Sequence, residues 1–154
     1  MSETIELRSK ETGNHVIRVS EFCRILAEKI GIEGKELEDF SIAAYLHDVG
    51  KISISDSILT KPGKLTDEEF EIMKTHTNVG YNLLKDSQRP IMQYTSIVAY
   101  QHHEKFNGKG YPQGLKGEEI HIFGRISAIA DVFDALGSER VYKKAWDMDR
   151  ILEL

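Results

Sequence analysis

The chain has 154 residues, of which 40% are hydrophobic and 29% charged, a balance typical of one globular domain with a buried core. The net charge of −5 leaves no basic surplus for a nucleic acid polymer, although a small anionic ligand is still compatible with it. The single cysteine, Cys23, excludes an internal disulfide, and no apolar run approaches the roughly 20 residues of a membrane-spanning helix. We therefore expect a cytoplasmic protein that binds neither nucleic acid polymers nor membranes.

The first half of the chain has the apolar spacing of helices. Residues 1–10 are polar and are expected to form an N-terminal tail or linker ahead of one domain over 11–154. Apolar residues recur at three- and four-residue steps over 12–30, which predicts an amphipathic helix, and a second helix is predicted over 35–46. The segment 52–63 contains Ser, Asp and a Pro-Gly pair and is expected to be irregular.

The second half begins with a helix-start signal. Thr66 and Glu69 have the spacing of a capping box and predict a long helix that ends near residue 84, with Phe70 on its inward stripe. Two further helices, over 90–103 and 123–136, flank a Gly-rich loop. Asp147 is expected to cap a last short helix. Since no segment alternates with the period of a strand, the predicted fold is all-α.

A histidine and an aspartate stand side by side at the end of the second predicted helix. His47 and Asp48 directly precede Val49 and Gly50, where the backbone is expected to turn. A neutral imidazole nitrogen and a carboxylate oxygen are both good ligands for a borderline divalent metal. Lys51 adds a cation that can meet an anionic substrate on that metal.

The other candidate ligands are also at helix ends or on inward faces. Each has an ordinary alternative as a hydrogen-bonded core residue, a solvated helix end or, for Asp131, a partner of Arg125. Together they can be gathered at one point in the core of a helical bundle. Their number exceeds the three or four protein ligands of one catalytic zinc and favours two ions, or three. His121, in a predicted loop, and Cys23, on an apolar stripe, are read as structural. The candidates that accompany His47 and Asp48 are Glu11, His15, His76, His102, His103 and Asp131.

Motifs spread over nearly the whole chain are similar to those of the HD-GYP family, a branch of the HD phosphohydrolase superfamily. They are Glu11-Thr-Gly-Asn-His15-Val-Ile-Arg18, Leu46-His47-Asp48-Val-Gly50-Lys51, Leu59-Thr-Lys-Pro62-Gly-Lys-Leu65, Met73-Lys-Thr-His76, His102-His103-Glu104-Lys-Phe-Asn-Gly108-Lys-Gly110-Tyr111-Pro112, Arg125-Ile-Ser-Ala-Ile-Ala-Asp131-Val-Phe-Asp134-Ala-Leu and Arg140-Val-Tyr-Lys143-Lys144.

This resemblance implies an HD-domain helical bundle with two or three divalent metal ions, iron or manganese. The implied activity is hydrolysis of cyclic di-GMP to pGpG and/or GMP by a metal-bridging hydroxide. The implied metal ligands are Glu11, His15, His47, Asp48, His76, His102, His103 and Asp131, with Asp48 bridging.

The resemblance also implies roles around the metals. Asp48 and Lys51 are the implied catalytic residues, and Lys51 contacts the scissile phosphate. The loop Gly110-Tyr111-Pro112 walls the pocket and in some relatives docks to a diguanylate cyclase domain. The implied substrate-binding residues are Lys51, Asp134, Arg140, Lys143, Gly110, Tyr111 and Pro112.

Four positions depart from the residues usual in that family, and none is an implied ligand. They are Asn107, His121, Gly137 and Val141. Family members usually continue with a Phe-Asp-Pro segment, so the bundle is expected to be C-terminally shortened.

Two other functions are considered beside this hypothesis. One is another HD phosphohydrolase that acts on a nucleotide or on a different cyclic dinucleotide. The Gly-rich loop and the pair Arg140 and Lys143 argue for a large, doubly anionic ligand instead. The other is a non-catalytic module that binds cyclic di-GMP or docks to a cyclase. The remaining alternative, a helical domain with incidental histidines, is disfavoured by the number of separate motifs that match.

Overall fold

The computed structural model describes residues 14–137 and 149–150. Over 14–137 it contains no strand, only an isolated antiparallel bridge between Asn107 and Lys116. The all-α prediction is confirmed. The predicted tail over 1–10 and the predicted cap at Asp147 lie outside the described residues. The α-helices of the segment 14–137 are α1 Asn14–Lys29, α2 Gly34–Tyr45, α3 Asp56–Leu59, α4 Asp67–Leu84, α5 Pro90–Gln101 and α6 Ile122–Gly137.

Four helices, α1, α2, α5 and α6, enclose the apolar core. At its centre the rings of Phe40 and Phe123 stack, with their centroids 4.2 Å apart. Burial of each such side chain stabilises the fold by roughly 1.5–3 kcal/mol. Cys23 is fully buried, and burial raises the pKa of its thiol to about 12, so the packing role predicted for it is confirmed. The buried members are Val19, Cys23, Ala27, Phe40, Ala43, Ala44, Val98, Phe123, Ile126 and Ala130.

A 3-10 turn, Val49–Ser53, presses directly against α4. A Cβ atom added to Gly50 would lie 1.9 Å from the carbonyl oxygen of His76 and 2.6 Å from the backbone nitrogen of Gly80. Only glycine fits this approach, since the obstructing atoms belong to the backbone. The contact brings the residues just before the turn close to His76.

The segment 52–63, predicted to be irregular, instead contains the end of this turn and the one-turn helix α3. The prediction is wrong for Asp56–Leu59, because a helix of four residues is too short to produce a recognisable apolar period, whereas 60–63 is irregular as predicted.

The capping box at the start of α4 is confirmed. The backbone N–H of Glu69 donates to the Thr66 hydroxyl at 3.3 Å, and the N–H of Thr66 donates to the Glu69 carboxylate at 2.8 Å. The inward position predicted for Phe70 is wrong, because its side chain is 45% exposed. It lies in the first turn of α4, where its ring meets the edge of Tyr111 at 6.2 Å rather than the core.

His121 caps α6, as its structural interpretation requires. Its Nδ1 accepts the backbone N–H of Phe123 at 3.1 Å, and its own N–H donates to the side chain of Gln101 at 2.7 Å. Within the described part of the chain, no helix combines the length and apolar character needed to span a membrane.

Candidate metal centre

Seven of the eight predicted ligands lie in two adjoining groups. Within each group, one potential ligand atom per residue lies within 4.8 Å of all the others. The eighth predicted ligand, Glu11, lies outside the described residues. The first group consists of Asp48, His76, His102 and His103, and the second group consists of His15, His47 and Asp131.

The first group is built from the ends of α2 and α5 and the middle of α4. Asp48 Oδ1 lies 3.4 Å from His76 Nε2 and 3.6 Å from His102 Nε2. The two nitrogens are 3.4 Å apart, and all three side chains are almost completely buried. Residues from three separate parts of the sequence therefore aim at one small volume.

Hydrogen bonds to the backbone set the tautomers of His47, His76 and His102. In each case Nδ1 lies 2.7–3.0 Å from the carbonyl oxygen of a residue three or four positions earlier. Because a carbonyl can only accept, Nδ1 must donate, and a neutral ring then has its lone pair on Nε2. These lone pairs are the ones that face the centre, an arrangement typical of metal-ligating histidines.

Some of the converging atoms have no hydrogen-bond partner among the described residues. His47 Nε2 and Asp48 Oδ1 are buried and unsatisfied. Buried polar atoms are nearly always paired, so a buried imidazole nitrogen and a buried carboxylate oxygen without partners call for a shared partner such as a metal ion, which would replace any proton on the nitrogen. Imidazole nitrogen together with carboxylate oxygen suits iron, manganese or zinc. The residues present therefore fit the metal ions that the resemblance implies.

Asp48 faces both groups. Its Oδ1 points to the first group, whereas Oδ2 lies 3.3 Å from His47 Nε2 and 2.6 Å from the Lys51 ammonium. Although burial alone raises the pKa of Asp48, Lys51 and His47 hold it well below its usual range. The carboxylate is thus ionised at neutral pH and has one oxygen available to each group.

The surroundings of the imidazoles shift their pKa values in opposite directions. Burial lowers the pKa of His76 to about 4, and burial together with His102 lowers that of His103 well below its usual value. Burial also disfavours charge on His47, but the negative charge of Asp48 outweighs it and raises the pKa of His47 to about 9. At pH 7 the apoprotein therefore holds a proton on His47 Nε2, at a position that a metal ion would take.

From this we predict that metal affinity depends on pH. A bound ion must displace the His47 proton, so the apparent affinity for Mn²⁺ should rise about tenfold per pH unit below about pH 9. Competition titrations with a chelator at about pH 6, 7 and 8 measure this, and calorimetry in two buffers of different ionisation enthalpy counts the released protons. Constant affinity across these pH values would contradict imidazole ligation.

The second group joins α1 to α6. His15 Nε2 lies 3.4 Å from Asp131 Oδ1, and His15 Nδ1 lies 2.6 Å from Asp134 Oδ2. Arg18 donates through Nη2 to Asp134 Oδ2 at 2.9 Å and through Nε to Oδ1. Asp131 thus pairs with His15, and Asp134 has both oxygens engaged by α1. Sequence reasoning assigned no role to Arg18, although its i,i+3 spacing from His15 placed both on one helix face.

The predicted loop Gly110-Tyr111-Pro112 covers the first group. The Tyr111 ring stacks on His103 with a centroid distance of 4.7 Å, and its backbone N–H donates to the His103 carbonyl at 3.2 Å. A Cβ atom on Gly110 would lie 2.5 Å from Glu104 Cα, so the loop approaches the backbone as closely as glycine allows. Tyr111 therefore lies directly against a candidate ligand of the first group.

A buried carboxylate anchors this loop. Glu104 is 3% exposed and accepts the backbone N–H of Gln113 at 2.7 Å and that of Leu115 at 3.0 Å. Glu104 belongs to one of the matching motifs, but the sequence predicted no role for it. Nothing in its spacing indicates that its carboxylate meets backbone amides of the loop. Arg140 and Lys143, the other predicted substrate contacts, lie outside the described residues.

Replacement of Glu104 by Ala should destabilise the domain. It removes two part-buried hydrogen bonds to a charged acceptor, each worth about 1.5–3 kcal/mol, so we expect the free energy of unfolding to fall by at least about 2 kcal/mol. Denaturant titration measures the change. Glu118→Ala, an exposed carboxylate in the segment that follows this loop, is the control and should change it by less than about 0.5 kcal/mol. Equal stability of both variants would contradict the anchoring role.

The fold and the site define an all-helical domain in which histidines and aspartates from several helices face a shared centre. The family model described as HD domain matches residues 1–153. The chain belongs to the HD domain family.

Three curated relatives are similar over most of the chain. The 3'3'-cGAMP-specific phosphodiesterase 2 of Vibrio cholerae is 48% identical over 153 residues, which are 99% of this chain and 29% of that protein. The cyclic di-GMP phosphodiesterase response regulator RpfG of Xanthomonas campestris is 47% identical over 152 residues, 99% of this chain and 40% of that protein. A cyclic di-GMP phosphodiesterase of Thermotoga maritima is 49% identical over 138 residues, 90% of this chain and 38% of that protein. The chain therefore spans well under half the length of these relatives.

Proposed function

We propose that the protein is a metal-dependent phosphodiesterase that hydrolyses cyclic di-GMP to pGpG and/or GMP. The observation that carries the proposal is the meeting of two ligand groups at Asp48, whose two oxygens face different groups. Two groups support at least two ions, and iron and manganese are the proposed metals because the donors are imidazole nitrogens and carboxylate oxygens. Glu11 is the proposed additional ligand where a third ion binds.

The residues of the chain have distinct proposed roles. When bound, a pair of divalent ions supplies a water of lowered pKa and a Lewis acid for phosphoryl oxygens. Asp48 is the proposed bridging ligand, and its salt bridge holds the Lys51 ammonium beside the centre, where it can neutralise a non-bridging phosphate oxygen. Tyr111, stacked on His103, limits the access of bulk water to the first group.

The proposed substrate is a doubly anionic cyclic dinucleotide. Arg140 and Lys143 are proposed to hold the dinucleotide. The loop Gly110-Tyr111-Pro112 is proposed to wall the pocket and to offer a docking surface to a diguanylate cyclase domain. A cytoplasmic site of action is also proposed, consistent with the free, buried thiol of Cys23.

A second candidate substrate is 3'3'-cGAMP. The Vibrio cholerae relative that is 48% identical is named as specific for that dinucleotide, whereas the Xanthomonas and Thermotoga relatives are named for cyclic di-GMP. The two dinucleotides differ in one base. The two groups of proposed metal ligands would act on the phosphate, so they do not distinguish between the bases.

Hydrolysis assays with metal-replete protein test the proposal. Cyclic di-GMP, 3'3'-cGAMP and a simple phosphodiester are compared at equal concentration, and the products are separated as linear dinucleotide and mononucleotide. Preferred turnover of cyclic di-GMP supports the proposal, and preferred turnover of 3'3'-cGAMP supports the second candidate. Tight binding of either dinucleotide without product would contradict catalysis and favour a binding or docking module.

A further inference from the structure

His15 differs from the other oriented imidazoles of the centre in what holds its Nδ1. The Nδ1 atoms of His47, His76 and His102 donate to neutral backbone carbonyls of their own helices. His15 Nδ1 instead meets the carboxylate of Asp134, at 2.6 Å, on a helix 119 residues away in sequence. Among these four described histidines, His15 is the one whose Nδ1 is held by an ionisable side chain.

The spacing on α6 explains how this contact arises. Asp131 and Asp134 are three residues apart and therefore lie on the same helix face. Asp131 lies by His15 Nε2 and Asp134 by His15 Nδ1, so one helix contacts both nitrogens of one ring. Arg18, one turn after His15 on α1, clamps Asp134 with two N–H groups. Asp134 is 3% exposed, so both of its oxygens are committed within this contact.

We propose that Asp134 is a positioning residue that acts through His15 and sets the metal affinity of the second group selectively. It keeps the His15 proton on Nδ1, directs the Nε2 lone pair to the metal, and raises the basicity of the ring through its negative charge. Arg18 holds Asp134 in the required orientation. The inference rests on the proposed metal centre, and it gives Asp134 a role different from the substrate contact that the resemblance implies.

Carboxylate partners of metal-ligating histidines have a measurable effect. Removing such a partner typically lowers metal affinity by 10–100-fold. Asp134 contacts His15 of the second group, whereas His76 and His102 of the first group are oriented by backbone carbonyls. Loss of the Asp134 charge should therefore lower the affinity for the ion of the second group and leave the affinity for the other ion unchanged.

The test is a chelator-competition titration of Mn²⁺ on the full chain, for the wild type and Asp134→Asn. We expect the wild type to bind at least two ions, and the variant to bind one of them about 10–100-fold more weakly with the other unchanged. Asp134→Glu, which keeps the charge, should recover part of the lost affinity, and Arg18→Gln should give an intermediate loss. Asp86→Asn, an exposed acid outside the centre, is the control and should match the wild type.

Steady-state kinetics distinguish positioning from substrate binding. If Asp134 positions His15, an excess of Mn²⁺ restores kcat in Asp134→Asn and KM stays at the wild-type value. If Asp134 binds substrate, KM rises at every metal concentration while both metal affinities stay the same, which would overturn the inference. An equal loss of affinity for both ions would also overturn the inference. So would a failure of both Asp134→Asn and Asp134→Glu to fold in the absence of metal. A wild-type protein that binds no Mn²⁺ would instead overturn the proposed metal centre itself.

Discussion

Replacement of Asp48 by Ala should abolish turnover and remove metal from the protein. Asp48 has one oxygen directed at each ligand group, so its loss should affect both ions together. It also leaves the ammonium of Lys51, 2.6 Å from Oδ2, without this carboxylate. Loss of a single preorganised charge-stabilising group lowers kcat by about 10²–10³-fold, and loss of a shared ligand should exceed that range. Metal quantitation and an initial-rate assay on the same sample measure both effects.

Asp48→Asn distinguishes the effect of the carboxylate charge from the effect of side-chain size. It keeps the size of the side chain and should still bind less than one ion per chain, because the amide is a weak ligand. Asp86→Ala, an exposed acid on the loop after α4, serves as the control and should keep the wild-type rate and metal content. An Asp48→Ala protein with normal metal content and normal turnover would remove Asp48 from the centre.

Gly50→Ala should lower both the stability of the domain and its metal affinity. The new methyl group would stand 1.9 Å from the carbonyl oxygen of His76, so the turn Val49–Ser53 must move away from α4. Overpacking of this kind typically costs about 1–3 kcal/mol, and because the clashing atoms are backbone atoms of α4, at His76 and Gly80, Gly50→Ala should lie at or above the top of that range. The movement also carries Asp48 and Lys51 away from the histidines, so metal affinity should fall with stability.

Denaturant unfolding in the presence and absence of Mn²⁺ measures the two consequences of Gly50→Ala. The variant should unfold at lower denaturant without metal, and Mn²⁺ should stabilise it less than it stabilises the wild type. Ile52→Ala is the control within the same turn, since Ile52 is 50% exposed, and it should keep the metal-dependent stabilisation. A Gly50→Ala protein that Mn²⁺ stabilises as strongly as the wild type would show that the close approach is not needed by the centre.

The helices and the ligands were accessible to sequence reasoning because each left a periodic or positional signal. The apolar stripes of α1 and α4 predicted their extents to within two residues over the described part of the chain. The capping box at Thr66 marked the start of α4. The histidines could be recognised because they stand at helix ends or on inward faces, where an unpaired polar group is expensive to bury.

Other features depend on contacts between residues that are far apart in the sequence, and no local sequence pattern predicts such contacts. The division of the ligands into two groups follows from how α1 and α6 pack, and the sequence indicated only a surplus of ligands. Asp134 was assigned to substrate through the resemblance, while its contact with His15 spans 119 positions. The need for glycine at position 50 comes from the close backbone of α4, and Phe70 is exposed in the first turn of α4, where its ring meets Tyr111.

Anomalous diffraction from crystals of the Mn²⁺-loaded protein tests the central claim most directly. The account predicts one anomalous peak among Asp48, His76, His102 and His103, and a second peak among His15, His47 and Asp131, with Asp48 in contact with both ions. Manganese at some other position, with these seven side chains paired to one another instead, would contradict the account.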